Sequence, residues 1–391
     1  MNNHQIKLAT AETCTGCTAC YSICPHSAID MRANTAGFRY PIINSTKCVG
    51  CGLCEFICPV IKPDSDNLVP LLAFVAQAKD QRILEKSASG GIFTAIAQQF
   101  IAEGGIVVGA AYDSNLNVCH ITCSKQEELQ LLSGSKYVQS ELNDIFKTVK
   151  DYLREGKQVL FSGNPCQVAG LKSFLRKDYS NLLCVDFLCH SIAAPTAFDL
   201  YKKHIARKYG EIRNIQFKSK RYGYFFPTLA VETQSGRGGK WYYFSSQSDP
   251  YMYAFLNGSI ARPSCSDCKF RRNHKSDLTI ADYYHASYKG LTKPEAGITR
   301  IAVWTERAKA YLSNVTILER EELISSQFFE KNDLLNHKGN LVDFDRLRFV
   351  KEMEFFAAYF KVPLKSKLIA GARWMLVFLG LQKIVKSIIR K

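Results

Sequence analysis

CTGCTACYSICP at residues 14–25 and CVGCGLCEFICP at residues 48–59 are one pattern written twice. In each, the cysteines follow C-x2-C-x2-C-x3-C and a proline comes directly after. Cys14, Cys17, Cys20 and Cys24 form the first set, and Cys48, Cys51, Cys54 and Cys58 the second. Three thiolates on one tight loop can hold three corners of an Fe4S4 cube. The fourth, on a following helical turn, points away to a partner cube. The spacing therefore predicts one cluster on Cys14, Cys17, Cys20 and Cys58, and another on Cys48, Cys51, Cys54 and Cys24. Structural zinc takes its four cysteines as separated C-x2-4-C pairs. It has no use for a third cysteine at x2 and a fourth before proline, twice over.

A ferredoxin-type domain of this kind accounts for residues 1–62 only, and a chain of 391 residues is long enough for two or three domains. Hydrophobic content of 47% with 22% charged residues is ordinary for a soluble globular protein. Fifteen cysteines would suggest disulfides in a secreted chain, but MNNHQIKLATAETC at the start has no apolar run to serve as a signal peptide. Reduced, metal-bound cysteines in the cytoplasm fit better.

The net charge of +16 is unevenly spread: residues 361–391 carry eight Lys or Arg and no Asp or Glu. A basic balance can serve nucleic acid, an acidic membrane surface or an acidic protein. No helix-turn-helix, zinc-finger or RNA-binding signature is present, so no nucleic-acid partner is expected. No segment has the roughly 18 uninterrupted apolar residues needed to span a bilayer.

Pro63-Asp64-Ser65-Asp66-Asn67 reads as a polar linker, and a strand at Leu71–Ala76 opens a second domain over 68–310. Ser87-Ala88-Ser89-Gly90-Gly91 precedes the apolar helix IFTAIAQQFIAEGG, and IVVGAA at 106–111 reads as a buried strand. Strand, helix, strand is the α/β (α+β) signature. Small residues opening a helix leave backbone N–H groups that can hold a phosphate, although a plain N-cap with a flexible glycine pair reads equally well. The polar loop 133–140 carries Lys136 beside Tyr137, a cation and a ring that could face a flavin or its phosphates, or merely solvent. A helix from Glu141 to Glu155 leads to a strand at Gln158–Phe161, then Asn164-Pro165-Cys166-Gln167, then the helix VAGLKSFLRK.

Cys166 thus sits at a strand-to-helix turn, where α/β sheets place their chemistry. The apolar strand Leu182–Leu188 ends at Cys189-His190, a second position of the same kind. Cys265-Ser266-Asp267-Cys268 adds a C-x2-C pair. These four make a possible ligand set. The alternatives are buried apolar cysteines at 166 and 189 and a redox or zinc pair at 265 and 268. Cys184 reads as a core residue, and Cys119 and Cys123 have no ligand pattern. The basic stretch 202–221 and the aromatic run Tyr222–Phe226 read as a solvated face or as a wall for an anionic substrate. Asp282 ends a strand and is the carboxylate best placed to touch a substrate. His190, His204, His274 and His285 are single histidines that could donate protons. The region 311–391 ends in SKLIAGARWMLVFLGLQKIVKSIIRK, a basic amphipathic helix with Trp374 as an interfacial anchor. It suits an inner membrane surface, or docks on its own body or a partner.

At Ser89-Gly90-Gly91, Gly134-Ser135-Lys136-Tyr137, Asn164-Pro165-Cys166-Gln167, Cys189-His190 and Cys265-Ser266-Asp267-Cys268, taken in order, the sequence resembles the coenzyme F420 hydrogenase/dehydrogenase beta-subunit family. The form resembled carries an N-terminal double-cluster ferredoxin module. The resemblance runs from residue 10 to about 310. It implies an α/β flavin-binding domain with FAD and a further [4Fe-4S] cluster on Cys166, Cys189, Cys265 and Cys268. It places cofactor contacts at Ser89, Gly90, Gly91, Lys136, Tyr137 and Asn164. Two departures stand out. Cys189-His190-Ser191 replaces a Cys-His-Gly turn, which reduces backbone freedom there. Ala281-Asp282-Tyr283-Tyr284 replaces Gly-Asp-Phe-Trp, so a differently shaped acceptor pocket is expected.

The expected function is an iron–sulfur flavin oxidoreductase linking a ferredoxin or other redox partner to a small-molecule two-electron acceptor, with His190 and Asp282 as candidate catalytic residues. The competing readings are a non-catalytic electron-transfer subunit and a membrane-peripheral redox component of surface polysaccharide biosynthesis.

Overall fold

The computed structural model describes residues 6–62, 69–235, 238–284, 291, 293–313, 318–323, 328–329, 341–344 and 362–379. The linker expected at 63–67 and His285 lie outside these residues.

The N-terminal unit consists of α1 (Ala19–Ile23), β1 (Ile29–Ala33), β2 (Arg39–Ile43) and α2 (Leu53–Phe56). The two strands pair antiparallel, with Ile29 opposite Ile43. Each cysteine loop turns through the left-handed region twice, at Gly16 (φ 72°) and Thr18 (φ 63°) in the first and at Gly50 (φ 69°) and Gly52 (φ 74°) in the second. Those turns bend the chain tightly between the cysteines of each loop. Glycine takes them without strain, whereas Thr18 bears a cost of roughly 1–2 kcal/mol.

The larger unit follows strand with helix: β3 (Leu72–Ala78), α3 (Gln81–Lys86), α4 (Ile92–Ala102), β4 (Ile106–Tyr112), β5 (Val118–Cys123), α5 (Leu129–Leu132), α6 (Ile145–Arg154), β6 (Val159–Ser162), α7 (Pro165–Leu175), β7 (Leu182–Phe187) and α8 (Pro195–Tyr209). Then come β8 (Ile212–Ser219), β9 (Thr228–Ser235), β10 (Gly238–Ser245), α9 (Pro250–Leu256), β11 (Leu278–Asp282), β12 (Thr299–Val303), α10 (Glu306–Ser313), β13 (Leu318–Leu323) and a C-terminal helix, Leu364–Phe378. The main sheet has the order β13-β3-β12-β11-β7-β6-β4-β5, and β10-β9-β8 form a second sheet. Pairs β4–β6, β6–β7 and β7–β11 are parallel. Strand β12 runs antiparallel to both β11 and β3, so β3, β4, β6, β7 and β11 all end at one edge of the sheet.

Alternate residues of the central strands bury on opposite faces, as the period of two requires. Leu160 and Leu183 join Ile92, Ile96 and Leu129 on one side. Val159, Phe161, Leu182 and Cys184 join Phe146, Val149 and Leu171 on the other. The result is a three-layer α/β sandwich, as the alternating pattern predicts, with Cys184 a core residue.

Three details depart from the sequence reading. The helix expected from Glu141 begins at Ile145, because the Glu141 carbonyl accepts from His120 N–H (2.9 Å) and its own N–H donates to Val118 (2.9 Å). Helix α7 starts at Pro165, not Val168, so Cys166 lies in its first turn. Pro at the first position costs no hydrogen bond, and the Gln167 side chain accepts the Asn164 N–H at 2.8 Å. The main sheet also continues past residue 310, since α10 spans that point and β13 pairs with β3.

The N-terminal unit packs directly on the sandwich. Cys17, Ala19 and Ile57 share an apolar cluster with Phe146, Val168 and Leu171, and Phe38 packs with Phe198 and Tyr251. An Arg39–Glu141 ion pair at 2.7 Å adds little, because both side chains are 41% exposed. Burial holds the two units together.

Candidate functional site

Cys24, Cys48, Cys51 and Cys54 line one cavity, together with Ile6, His26, Val49 and Leu53. This grouping joins the second loop to the last cysteine of the first, as the spacing predicts. Cys51 is exposed to solvent. Cys14, Cys17, Cys20 and Cys58 form the complementary group. Burial pushes the Cys17 thiol up to about 12, and Cys58 and Cys14 add to the rise. Burial likewise drives Cys20 well above the thiol range, with Cys17, Cys14 and Cys58 contributing. Thiols held this way do not ionise alone, but a bound cation deprotonates a coordinating thiol outright.

A second cavity is lined by Cys166, Cys189, Cys265 and Cys268, with Thr15, Ser264, Phe270, Arg271 and His274 around them. The elements that deliver them differ. Cys166 comes from the first turn of α7, Cys189 from just beyond β7, and Cys265 from a turn at Pro263–Cys265. That turn is tied back by Arg262 N–H to the Ile192 carbonyl at 2.9 Å. Burial raises Cys166 and Cys189 well above the thiol range, and the neighbouring cysteines add to both. The sequence left two alternatives for these residues; the fold brings all four to one place.

Among the described residues, Thr15 Oγ1, Ser264 Oγ and His274 Nε2 in the second cavity have no hydrogen-bond partner, nor have Thr18 Oγ1 in the first cysteine loop and Ser22 Oγ in α1. Buried polar groups are normally satisfied, so the hydroxyls, as donors, fit an acceptor-rich group between the thiols. Among the described residues no group of three or more His, Cys, Asp or Glu side chains is arranged to hold a single metal ion.

The inner two sets adjoin. Cys58 belongs to the same apolar cluster as Cys166, Cys189, Cys265 and Cys268, and Cys17 acts on Cys166 through its charge.

Further along the same sheet edge stand the remaining candidates. Ser89 and Gly90 are wedged between the ends of β3 and β12. A Cβ on Gly90 would stand 2.7 Å from the Ala76 carbonyl oxygen, and the Gly90 N–H is already bound to Thr299 Oγ1 at 3.0 Å. Anion-binding capacity there falls to the first turn of α4, where Gly91 provides no side-chain cap. The Lys136 ammonium donates to the carbonyls of Ser133 (3.0 Å) and Gly134 (3.4 Å), and burial lowers its pKa to about 8. The Tyr137 ring is stacked on Phe255 at 4.5 Å. It is a core-packing ring whose neighbours include Lys218 and Asp282. Asn164 caps the start of α7, two residues before Cys166.

Asp282, at the end of β11, is paired with Lys218. Burial opposes the Lys218 charge, but the Asp282 carboxylate outweighs it and holds the lysine above its usual range. Tyr224 and Tyr284 stack at 5.1 Å beside this pair. Lys220 donates to the carbonyls of Leu84, Ser89 (3.0 Å) and Ala296 (2.7 Å); burial, then Lys218, lowers it to about 8. His190 is exposed and its carbonyl accepts from Arg271 at 3.2 Å, so it lies by the four-cysteine cavity. His274 is buried, its Nδ1 on Asp186 at 2.9 Å and its ring stacked on Trp304 at 5.5 Å. Lys218, Lys220 and Tyr224 fall in the basic and aromatic stretch singled out from sequence. The Asp186–His274 pair had no such signal, because its members are 88 positions apart.

Comparison with known proteins agrees with this division. Residues 13–61 match the model described as a 4Fe-4S dicluster domain. Residues 73–147 match the N-terminal model of the coenzyme F420 hydrogenase/dehydrogenase beta subunit, and residues 156–325 match its C-terminal model. No curated protein gives a significant match. Among solved structures, one similar chain comes from the F420-reducing [NiFe] hydrogenase complex of Methanosarcina barkeri, a xenon derivative. It has 16% identity and a TM-score of 0.45 over 65% of this chain and 82% of that one. Two consecutive regions of one family thus follow a dicluster domain, and the chain belongs to the coenzyme F420 hydrogenase/dehydrogenase beta-subunit family.

Proposed function

We propose that this chain is an iron–sulfur flavin oxidoreductase that passes electrons between a ferredoxin-like protein and a small two-electron acceptor, of the F420 class or another. Iron–sulfur cubes carry single electrons, and FAD joins one-electron to two-electron chemistry. The observation that carries the proposal is the succession of three four-thiol sets. The set with exposed Cys51 faces solvent, the middle set abuts α7, and the Cys166 set leads to the sheet edge. The first suits exchange with a partner protein, and the last lies at the carboxyl ends of β6 and β7.

Each candidate has a specific part in this reading. Cys166, Cys189, Cys265 and Cys268 hold the third cluster, while Thr15 and Ser264 bring unpaired hydroxyls to it. Lys136 and the opening turn of α4 after Ser89-Gly90-Gly91 attract the phosphates of FAD, and Tyr137 and Asn164 frame the site. Lys220, held on three carbonyls, fixes the Ser89 turn against the β12 edge. Asp282 keeps Lys218 charged at the strand end, where an anionic acceptor would meet it. His190 stands at the rim of the Cys189 turn. Tyr224, buried, and Tyr284, exposed, stack beside the Asp282–Lys218 pair and give an acceptor an aromatic wall.

The domain limits proposed are 1–62 for the ferredoxin-type unit and a flavin and third-cluster unit that starts at 68 and, with β13 in its sheet, runs past the expected limit of 310 into the region 311–391. Among the described residues no helix is long and apolar enough to cross a membrane. A peripheral contact is supported by the C-terminal helix, whose outward side exposes Leu364, Leu368, Met375, Phe378 and Leu379. A role in surface-polymer synthesis would act through that contact.

Anaerobic iron analysis with cofactor extraction tests the core of the proposal. About twelve irons and one FAD per chain are expected, three cubes by ligand count. Cys166→Ser should remove about four irons and spare the N-terminal clusters. An unchanged iron count in that variant overturns the third cluster. Clusters without flavin would make the chain an electron relay.

A further inference from the structure

Arg262 has no solvent exposure at all. An arginine keeps its charge in a protein, and a buried charge is costly unless an opposite charge meets it. Among the described residues no carboxylate does so. Nε donates to the Cys14 carbonyl at 2.7 Å, Nη1 to Gln139 Oε1 at 2.9 Å, and Nη2 to the Arg39 carbonyl at 2.9 Å. Nη2 also points to Cys14 Sγ at 3.8 Å. The guanidinium lies over the Tyr40 ring at 4.2 Å and the Phe38 ring at 5.3 Å. Neutral oxygens and rings satisfy its protons but leave its charge unbalanced.

The missing counter-charge is thiolate. Cys14 carries it when it ligates iron, and a cube with four thiolates is anionic overall. Arg262 is also tied to Cys265, three residues on, whose N–H donates to the Arg262 carbonyl at 2.9 Å. One cation therefore stands between a ligand of the middle set and a ligand of the inner set. Gly16 makes room for it: a Cβ there would lie 2.9 Å from Nη1. The corresponding cysteine of the second loop, Cys48, has no buried guanidinium on its sulfur among the described residues. The adjacent Lys47 is exposed and its charge is screened.

We propose that Arg262 is a positioning residue that sets the order of potentials, making the cluster on Cys14, Cys17, Cys20 and Cys58 easier to reduce than its ferredoxin-domain twin and so drawing electrons inward. The inference rests on the cluster reading above. A positive charge at a ligand sulfur stabilises the reduced, more negative state, and the low local dielectric magnifies the effect. The same side chain fastens the N-terminal unit, through Cys14 and Arg39, to the segment that carries Cys265.

The test is an anaerobic redox titration followed by EPR on the full chain. In Arg262→Met one of the two ferredoxin-domain signals should move to lower potential while the other stays. A tenfold change in the oxidised-to-reduced ratio, about 59 mV for a one-electron centre, is the expected scale. Gln139→Glu gives the same readout without removing the arginine, because it sets a carboxylate against Nη1; it should move the same signal the same way. Arg262→Lys should move it least. Unmoved signals in Gln139→Glu or in an iron-replete Arg262→Met overturn the inference and leave the cluster reading intact. Absence of iron–sulfur signals in the unaltered protein overturns the cluster reading itself.

Discussion

Gly170 of α7 lies against Cys17 of the first cysteine loop, so closely that a Cβ on the glycine would stand 2.7 Å from Cys17 Cβ and 2.9 Å from its Sγ. This is where the N-terminal unit meets the helix whose first turn carries Cys166. In an ordinary helix interior, Gly→Ala gains about 1 kcal/mol of propensity. Here the new methyl meets a buried side chain that cannot swing aside, and overpacking of this kind costs typically about 1–3 kcal/mol. Gly170→Ala should therefore lower the melting temperature and loosen the unit against α7. Slower reduction of the inner cluster by rapid-freeze EPR is the functional readout. Unchanged melting and unchanged rates would mean that the two units are not tightly seated there.

The crossed grouping of cysteines makes a sharper prediction. Cys24 lines the cavity of the second loop, and Cys58 acts on Cys17 and Cys20 of the first. Cys24→Ser should thus perturb the solvent-facing cluster, and Cys58→Ser the one nearest Cys166. The Cys58 change should disturb the third cluster as well, because the residue shares its apolar surroundings. Loss of the same EPR signal in both variants would contradict the exchange.

His120 predicts a pH dependence. It is buried, its Nδ1 on Ser140 Oγ at 2.7 Å and its Nε2 on the Ser162 carbonyl at 3.0 Å. Burial lowers its pKa from 6.5 to about 4, with Lys136 nearby contributing. The folded state then binds the proton less readily than the unfolded chain. Stability from this residue is complete above pH 6.5 and drains away as pH falls toward 4, by on the order of 3 kcal/mol. His120→Gln should flatten the melting temperature between pH 6.5 and 4, although losing the ring stacked on Phe161 lowers it at every pH. A slope identical to that of the unaltered protein would assign the acid sensitivity to other groups.

Much of this organisation was readable in the sequence because it is local. The eight N-terminal cysteines declare themselves by spacing. The β-strands around Cys166 and Cys189 are apolar runs that end where the chemistry begins, and Lys218, Lys220 and Tyr224 lie in a stretch already suspect for its charge and rings. What stayed hidden depends on contacts between distant positions. Arg262 meets Cys14 from 248 residues away, and nothing in the local sequence marks it off from other arginines. His274 is one of four single histidines that could donate protons, and nothing sets it apart or marks Asp186 as its partner until the sheet joins them. The start of α6 moved because Glu141 gives its backbone to β5, a tertiary claim that overrides helix propensity.

Trp374 is the clearest revision, and it changes the prediction for the tail. The sequence offered this ring as a membrane anchor, but it packs on Tyr222 at 4.7 Å and Phe226 at 5.2 Å, so it secures the helix to the body. The outward stripe of Leu364, Leu368, Met375, Phe378 and Leu379 is exposed, and it meets Trp374 only through Phe378, whose ring stacks on it at 5.6 Å. Those positions recur at helical spacing, with the exposed Lys365 and Lys367 on either flank. Full burial of one such side chain contributes about 1.5–3 kcal/mol, and each lysine near an anionic leaflet about 1 kcal/mol. Leu368→Asp with Met375→Asp should abolish sedimentation with phosphatidylglycerol vesicles and leave the melting temperature nearly unchanged, whereas Trp374→Ala should lower the melting temperature. Added salt should weaken vesicle binding through the lysines. Undiminished binding by the double variant would remove the apolar stripe from any membrane role.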